Sequence, residues 1–472
     1  MQKPQYELGL IGLGTMGRNL LMNMADHGFS VAGYDTDPSR VEQILNTEHT
    51  EKISGQSNLT EFIAILKKPK VIMLLVPAGR IVDEVIDEIL PFLEDGDIII
   101  DGGNSHYIDT ERRITYLEKK NIQFVGMGIS GGAEGARKGP SMMPGGSPES
   151  WKRIQPIFEA AAAKVDGSPC VSYMGNRSAG HYVKMVHNGI EYGMMELIAE
   201  AYDYMRRALG LENEKIADVF DRWNEGKLHS YLIEITAEVF RTRDPLESGD
   251  LIDKIRDESK QKGTGKWTSQ DAMDLQVPVP GIDLAVAMRD LSGYLSERTV
   301  AAEILKGPEN TPADEDLDQQ IGRLENALYF GFMINFAQGM ALLLKASQTF
   351  DYGLHPAEIA KIWRGGCIIR AAILEDIRKA FDQNPDLKNI MLDPHIAKQL
   401  NQYQEDIRDI SISMIQKGIP GMALINVISY FDAYRSPRLP ANLIQAQRDF
   451  FGAHGFERLD REGVFHADWG KP

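Results

Sequence analysis

Over the first 178 residues, short apolar runs alternate with amphipathic stretches. Runs at residues 9–12, 30–34, 71–76, 97–100 and 122–126 are brief and rich in β-branched side chains, so they read as strands. Between them lie helical patterns such as residues 80–93, which set Ile81, Val85, Ile86, Ile89 and Leu90 on one face. The strand runs show no in–out alternation, as expected for parallel strands covered on both faces. The pattern predicts a Rossmann-type α/β domain over residues 1–178, doubly wound, with a nucleotide site at the carboxyl ends of its strands.

Beyond Ser178 the strand signal fades and 3.6-residue periodicity takes over, for example at 190–209 and 328–350. Residues 179–437 therefore read as a large all-helical domain. A weak internal repeat of about 140 residues runs through it. It relates Asn188 to Asn326, Gly210-Leu211 to Gly353-Leu354, and Trp223 and Gly226 to Trp363 and Gly366. The second copy carries Gly322 and Tyr329 where the first has Lys184 and Glu191, which assigns any chemistry to the first. Residues 438–472 form a tail with one helical pattern, 442–451, followed by Gly452, Gly455 and Gly463. Such a tail is too poor in apolar positions to fold alone, so it is expected to lie on its own helical domain or on a partner subunit.

Composition narrows the classes. Hydrophobic residues make up 43% and charged residues 25%, which excludes disorder. The net charge of −17 excludes a general nucleic-acid or membrane-surface binder. Two cysteines, Cys170 and Cys367, rule out a disulfide framework and a four-cysteine zinc site, and point to a reducing, cytoplasmic setting. No cleavable leader is evident before the first strand. The longest apolar stretch, 328–344, is interrupted by Asn335 and Gln338 and reads as a buried helix, not a membrane span. No metal-ligand cluster stands out among the ten histidines.

Gly12-Leu13-Gly14-Thr15-Met16-Gly17 follows the first strand and opens a helix. Gly12 permits a tight turn, Gly14 admits a pyrophosphate to the backbone, and Gly17 permits close helix packing. Asp35 ends the second strand, 18 residues past Gly17, where a carboxylate accepts from both ribose hydroxyls and repels a 2′-phosphate. Asp37-Pro38 reads as a helix cap. NAD is the expected cofactor, with NADP as the alternative because Arg40 stands close in sequence.

Three further segments carry polar residues that packing does not require. They are Asp101-Gly102-Gly103-Asn104-Ser105, Ser130-Gly131-Gly132, and the helix bearing Lys184, His187, Asn188, Glu191 and Tyr192. Lys184, Asn188 and Glu191 share a face at i, i+4 and i+7, either as a structural ladder or as catalytic groups. With residues 261–268, 364–370 and 439–454, these blocks resemble the decarboxylating 6-phosphogluconate dehydrogenases of the long, two-domain type, over essentially the whole chain.

The resemblance implies oxidation of the substrate's C3 hydroxyl, loss of CO2 and formation of ribulose 5-phosphate. It implies Lys184 as base and Glu191 as the acid that protonates C1. Gly12, Leu13, Gly14, Thr15, Met16, Gly17, Asp35, Val76 and Asn104 are then the cofactor residues. Asn104, Ser130, Gly131 and Gly132 are expected at the substrate carboxylate, with His187 and Asn188 near the reacting hydroxyls. Tyr192, Lys262, Thr264 and Arg289 are expected at the phosphate, joined by Arg448 and His454 from the partner in a homodimer.

Departures from the family pattern matter for the cofactor. The family usually has Asn-Arg-Thr at Asp35-Thr36-Asp37 and a lysine at Pro77, so both changes remove a positive charge and Asp35 adds a negative one at the ribose. That change predicts an NAD preference of a few kcal/mol, roughly 10²–10³-fold. Ala133 and Met127 also depart from the pattern, without a physical account. The rival readings are a 3-hydroxyacid dehydrogenase that does not decarboxylate, and a non-catalytic NAD-sensing scaffold. Lys262, Arg289 and Arg448 count against the first, and Lys184 with Glu191 against the second.

Overall fold

The computed structural model describes residues 5–46, 51–308 and 316–470. Seven strands form the main sheet: β1 (Leu8–Ile11), β2 (Val31–Tyr34), β3 (Ile53–Gln56), β4 (Val71–Leu74), β5 (Ile98–Asp101), β6 (Gln123–Ser130) and β7 (Ser141–Gly145). Their order is β3-β2-β1-β4-β5-β6-β7, parallel except for the β6–β7 pair. Successive residues bury on opposite faces: Leu10 and Ile100 enter one core, Ile11 and Ile99 the other. This is why the strand sequences are uniformly apolar. The chain reverses direction across the sheet between β1 and β4, so the glycine motif after β1 opens at the switch point.

The five expected strands are present, but β3 and β7 escape the hydrophobic pattern. β3 is an edge strand with a single aliphatic residue, and β7 contains Pro144, tolerated because β7 ends the sheet. β6 runs to Ser130, four residues beyond the expected end at 126, and delivers Ser130 to the sheet's carboxyl edge. The Arg80–Ile89 helix buries Val82, Ile86 and Ile89, whereas Ile81 is 42% exposed. The expected face was one residue out of phase at its first turn.

From Ala179 the chain is helical, and its two longest helices are Ala179–Arg207 and Leu317–Phe350. The apolar stretch falls inside the second, whose most apolar window is 89% buried. Asn335 donates to Ile190 O (2.7 Å) and Gln338 accepts from Gly281 N (2.8 Å), so the polar interruptions fasten neighbouring helices. Contacts join several of the positions that the repeat would pair. Gly193 lies against Asn335 and Gly331 against Leu197, two contacts exchanged by the shift that relates Asn188 to Asn326. Gly210 and Gly353 turn the chain with φ of 67° and 68°. Ser230 and Ala371 form an antiparallel bridge, with Tyr231 N donating to Arg370 O and Ala372 N to His229 O.

The compact first unit runs through Val427, and a second, Ile428–Pro472, carries the tail. Residues 178/179 mark a change from sheet to helices within the first unit. In the second unit, the buried Asp449 on the Ala441–Gly452 helix accepts from Gly455 N, Ala467 N, His466 Nδ1 and Trp469 Nε1. This carboxylate, held well below the usual range by those bonds, ties the irregular end to the helix.

Candidate active site

The three glycines of the nucleotide motif have distinct surroundings. A Cβ on Gly12, whose φ is +99°, would lie 2.5 Å from Leu75 O, and one on Gly17 would lie 1.9 Å from Gly12 O. Both are required by the protein itself. A Cβ on Gly14 meets no protein atom within 4 Å, so its bare backbone faces open space. The Thr15–Asp26 helix begins there without a side-chain cap, leaving its first N–H groups for an anion. Gly14, Thr15, Met16 and Gly17 line a cleft of about 740 Å³ with Val76, Asn104, Lys262 and Thr264. The glycine turn, Thr15, Met16, Val76 and Asn104 fit a dinucleotide at that cleft.

Gly12, Leu13 and Asp35 are not part of the cleft lining. Leu13 packs its side chain into the sheet core, and its N–H donates to Asp35 Oδ2 at 2.7 Å. Asp35 Oδ1 accepts from Asp37 N (3.0 Å), and Arg40 Nη1 lies 3.4 Å from Oδ2. Asp35 is thereby fixed to the glycine turn, and Arg40, the residue that keeps NADP as the alternative, stands against it.

The helix carrying Lys184 lies unusually close to the sheet. A Cβ on Gly128 would be 2.3 Å from Lys184 Cβ, one on Gly126 2.8 Å from His181 Nδ1, and one on Gly145 2.2 Å from Gly180 N. Glycines on β6 and β7, with Gly180 on the helix, remove the side chains that would hold the layers apart. Lys184 is consequently buried, and burial lowers its pKa. Burial likewise raises the pKa of Glu191, two turns along on the same helix face. His187, wholly buried, is held well below its usual value by burial first and Lys184 second, so it is neutral.

A hydrogen-bond chain links these groups. Ile368 N donates to Ser130 Oγ (3.4 Å), which lies 3.3 Å from His187 Nε2. His187 Nδ1 lies 3.1 Å from Asn188 Oδ1 and 3.4 Å from Lys184 Nζ. Assigned from these partners, Nε2 accepts from Ser130 and Nδ1–H donates to Asn188. Trp363 meets the His187 ring edge-on, with centroids 5.5 Å apart. Gly131 is left-handed, and a Cβ there would strike Gly366 O at 2.5 Å, whereas Gly132 faces open space. Sequence reasoning assigned no role to Trp363, Gly366 or Ile368, although the 364–370 block was visible as a motif.

Lys262 and Thr264 stand at the turn that opens the Thr264–Asp274 helix, where Gly263 adopts a left-handed conformation. Arg289 stacks on the Tyr192 ring, its Cζ 3.5 Å from the centroid. Arg448 and His454 belong to the second unit. There Arg448 bonds Gln445 and His454 packs edge-on against Phe451.

Two family models divide the chain between them. One described as the NAD binding domain of 6-phosphogluconate dehydrogenase matches residues 7–175, and one described as the 6-phosphogluconate dehydrogenase C-terminal domain matches residues 180–469. The chain belongs to the 6-phosphogluconate dehydrogenase family. A decarboxylating 6-phosphogluconate dehydrogenase of Lactococcus lactis subsp. lactis is 49% identical over 467 residues, covering 98% of this chain and 99% of the relative. A Bacillus subtilis 6-phosphogluconate dehydrogenase, described as NADP(+)-dependent and decarboxylating, is 46% identical over 99% of this chain and 100% of its own length. The Plasmodium falciparum 6-phosphogluconate dehydrogenase, solved in its apo form and in complexes with NADP+ and with 6-phosphogluconate, superposes with a TM-score of 0.95. It is 42% identical and covers 98% of this chain and 100% of its own. The blocks on which the family resemblance rests thus bring Lys184, His187 and Ser130 together in the fold, beside the cleft that Ile129 lines.

Proposed function

We propose that this chain oxidises the C3 hydroxyl of 6-phosphogluconate and releases C1 as CO2, yielding ribulose 5-phosphate. The observation that carries this reading is the pairing of a buried Lys184, lowered in pKa, with a Glu191 raised in pKa on the same helix face. One group is poised to accept a proton and the other to give one. Lys184 takes the C3–OH proton as the hydride leaves C3, and the bound dinucleotide supplies the hydride acceptor. The resulting Lys184 ammonium polarises the C3 carbonyl while the β-keto carboxylate loses CO2. Glu191 then delivers a proton to C1 of the enediol. Ser130, held by Ile368 N and His187, holds the carboxylate end with Asn104, Gly131 and Gly132. His187 and Asn188 bind the hydroxyls, and Tyr192, Lys262, Thr264 and Arg289 bind the phosphate.

NAD is the preferred dinucleotide in this reading. Asp35 is anchored by Leu13 N and Asp37 N at the end of β2, where a carboxylate meets the ribose, and its charge repels a 2′-phosphate. A second reading, NADP use, draws on Arg40 beside Asp35. A homodimer completes the assembly, with Arg448 and His454 lent to the partner's site. Leu443, Ile444, Phe450 and Phe451, each more than 60% exposed, support a face that another copy covers.

The test is purified chain with 6-phosphogluconate and each dinucleotide, following reduced cofactor and CO2 together. Equimolar products with kcat/KM for NAD about 10²-fold above NADP are expected. Reduced cofactor without CO2 returns the simple dehydrogenase, and neither product the scaffold. Equal or better use of NADP establishes the second cofactor reading.

A further inference from the structure

Asp271 is a buried carboxylate that the mechanism does not use. It lies on the Thr264–Asp274 helix, 6% exposed, and the histidine that feels its charge, His106, has its pKa lowered by burial. Two phenols satisfy it instead. Tyr107 OH donates to Oδ1 at 2.5 Å, and Tyr182 OH donates to Oδ2. The three residues come from three elements with separate duties. Tyr107 opens the Tyr107–Glu118 helix of the sheet part, three residues after Asn104. Tyr182 precedes Lys184 on its helix by two residues. Asp271 rides on the helix whose first turn presents Thr264, just past Lys262.

A buried charge without a cation is costly, and a neutral side chain would fill the same volume more cheaply. What the carboxylate adds is two acceptor atoms with fixed directions, so that both hydroxyls are held at once. The Thr264–Asp274 helix is fastened to the Lys184 helix by other means. A Cβ on Gly265 would lie 2.4 Å from the Tyr192 ring, and Thr268 Oγ1 donates to Met185 O at 2.9 Å. It is tied to the sheet part by the Tyr107–Asp271 bond and by the edge contact of His106 with Trp267, 4.6 Å between centroids.

We propose that Asp271 is a positioning residue: held by Tyr182 of the Lys184 helix, it uses Tyr107 to set the spacing of Lys262 and Thr264 from Asn104. This inference rests on the reading of those residues as the two ends of a 6-phosphogluconate site. A substrate that spans from carboxylate to phosphate must meet both ends together, so loss of the spacing weakens its binding while each end remains built.

Tyr107→Phe and Asp271→Asn, alone and combined, test it. Each single variant is expected to raise the KM for 6-phosphogluconate about tenfold, with a smaller loss in kcat and an NAD KM within about twofold. The double variant should be no worse than the worse single one, because both changes break one link. Hydrogen exchange over residues 261–275 should quicken in each variant, with the remainder of the chain unaltered. Additive effects, an unchanged substrate KM, or a loss of kcat that tracks a lowered Tm overturn the proposal. If the unsubstituted chain fails to turn over 6-phosphogluconate, the functional reading falls. The exchange result alone then decides the Asp271 link, unchanged exchange overturning it.

Discussion

The opposite roles proposed for Lys184 and Glu191 follow from one physical cause. Burial disfavours charge, so it lowers the pKa of an amine and raises that of a carboxyl. The spacing that sets them on one face is written in the sequence, but the burial of Lys184 comes from its seating on β6. Replacing Lys184 with Met should lower kcat by about 10³-fold or more while preserving cofactor binding and Tm; substantial residual turnover would remove Lys184 as base. The pH profile has a definite sign. Activity rises with pH as Lys184 loses its proton and falls as Glu191 loses its own, giving a bell in kcat/KM. Glu191→Gln should lower the maximum and abolish the alkaline limb, and a limb that survives in that variant assigns it to another group. At the cofactor, Asp35→Asn removes the repulsion towards a 2′-phosphate. It is expected to shift the NAD-to-NADP ratio of kcat/KM towards NADP by about 10-fold or more, read from steady-state kinetics.

At the scale of elements, the decisive feature is the close seating of the Ala179–Arg207 helix on β6 and β7. Gly128→Ala inserts a methyl 2.3 Å from Lys184 Cβ, and neither the strand nor the helix backbone is free to yield cheaply. We expect about 1–3 kcal/mol of destabilisation and a lowered kcat, measured by thermal unfolding and turnover. Unchanged values would mean the seating tolerates a side chain. Hydrophobic pattern located β1, β2, β4, β5 and β6 because central parallel strands are apolar on both faces. It missed β3 and β7 because edge strands are specified by partners: Ile53 pairs with Val31, and Ser141 with Ser130. The first turn of the Arg80–Ile89 helix was misphased for a related reason. Ile81 and Val82 are equally apolar, and only the packed sheet selects Val82.

At the scale of the whole molecule, the net charge of −17 is compatible with an anionic substrate because local placement outweighs the sum. Lys262 lines the cleft, and Arg289 lies stacked on Tyr192. The proposed sharing of Arg448 between subunits is open to complementation. Lys184→Met and Arg448→Ala chains are each expected to be nearly inactive. Mixed under subunit exchange, they should recover about a quarter of full activity, since half the dimers are then hybrids with one intact site of two. No recovery would place Arg448 in its own chain's site or outside the site altogether.

The sequence by itself determined the sheet-then-helix order, the distinct duties of Gly12, Gly14 and Gly17, and the shared face of Lys184, Asn188 and Glu191. These are local properties, carried by period, spacing and backbone freedom. Tertiary structure alone decided that Ile368 and Ser130 reach His187, that Arg40 stands against Asp35, and that Asp271 gathers Tyr107 and Tyr182. Those partners lie far apart along the chain or on separate elements. Their hydrogen bonds and pKa directions depend on which surfaces packing removes from water, and that is a property of the assembled layers.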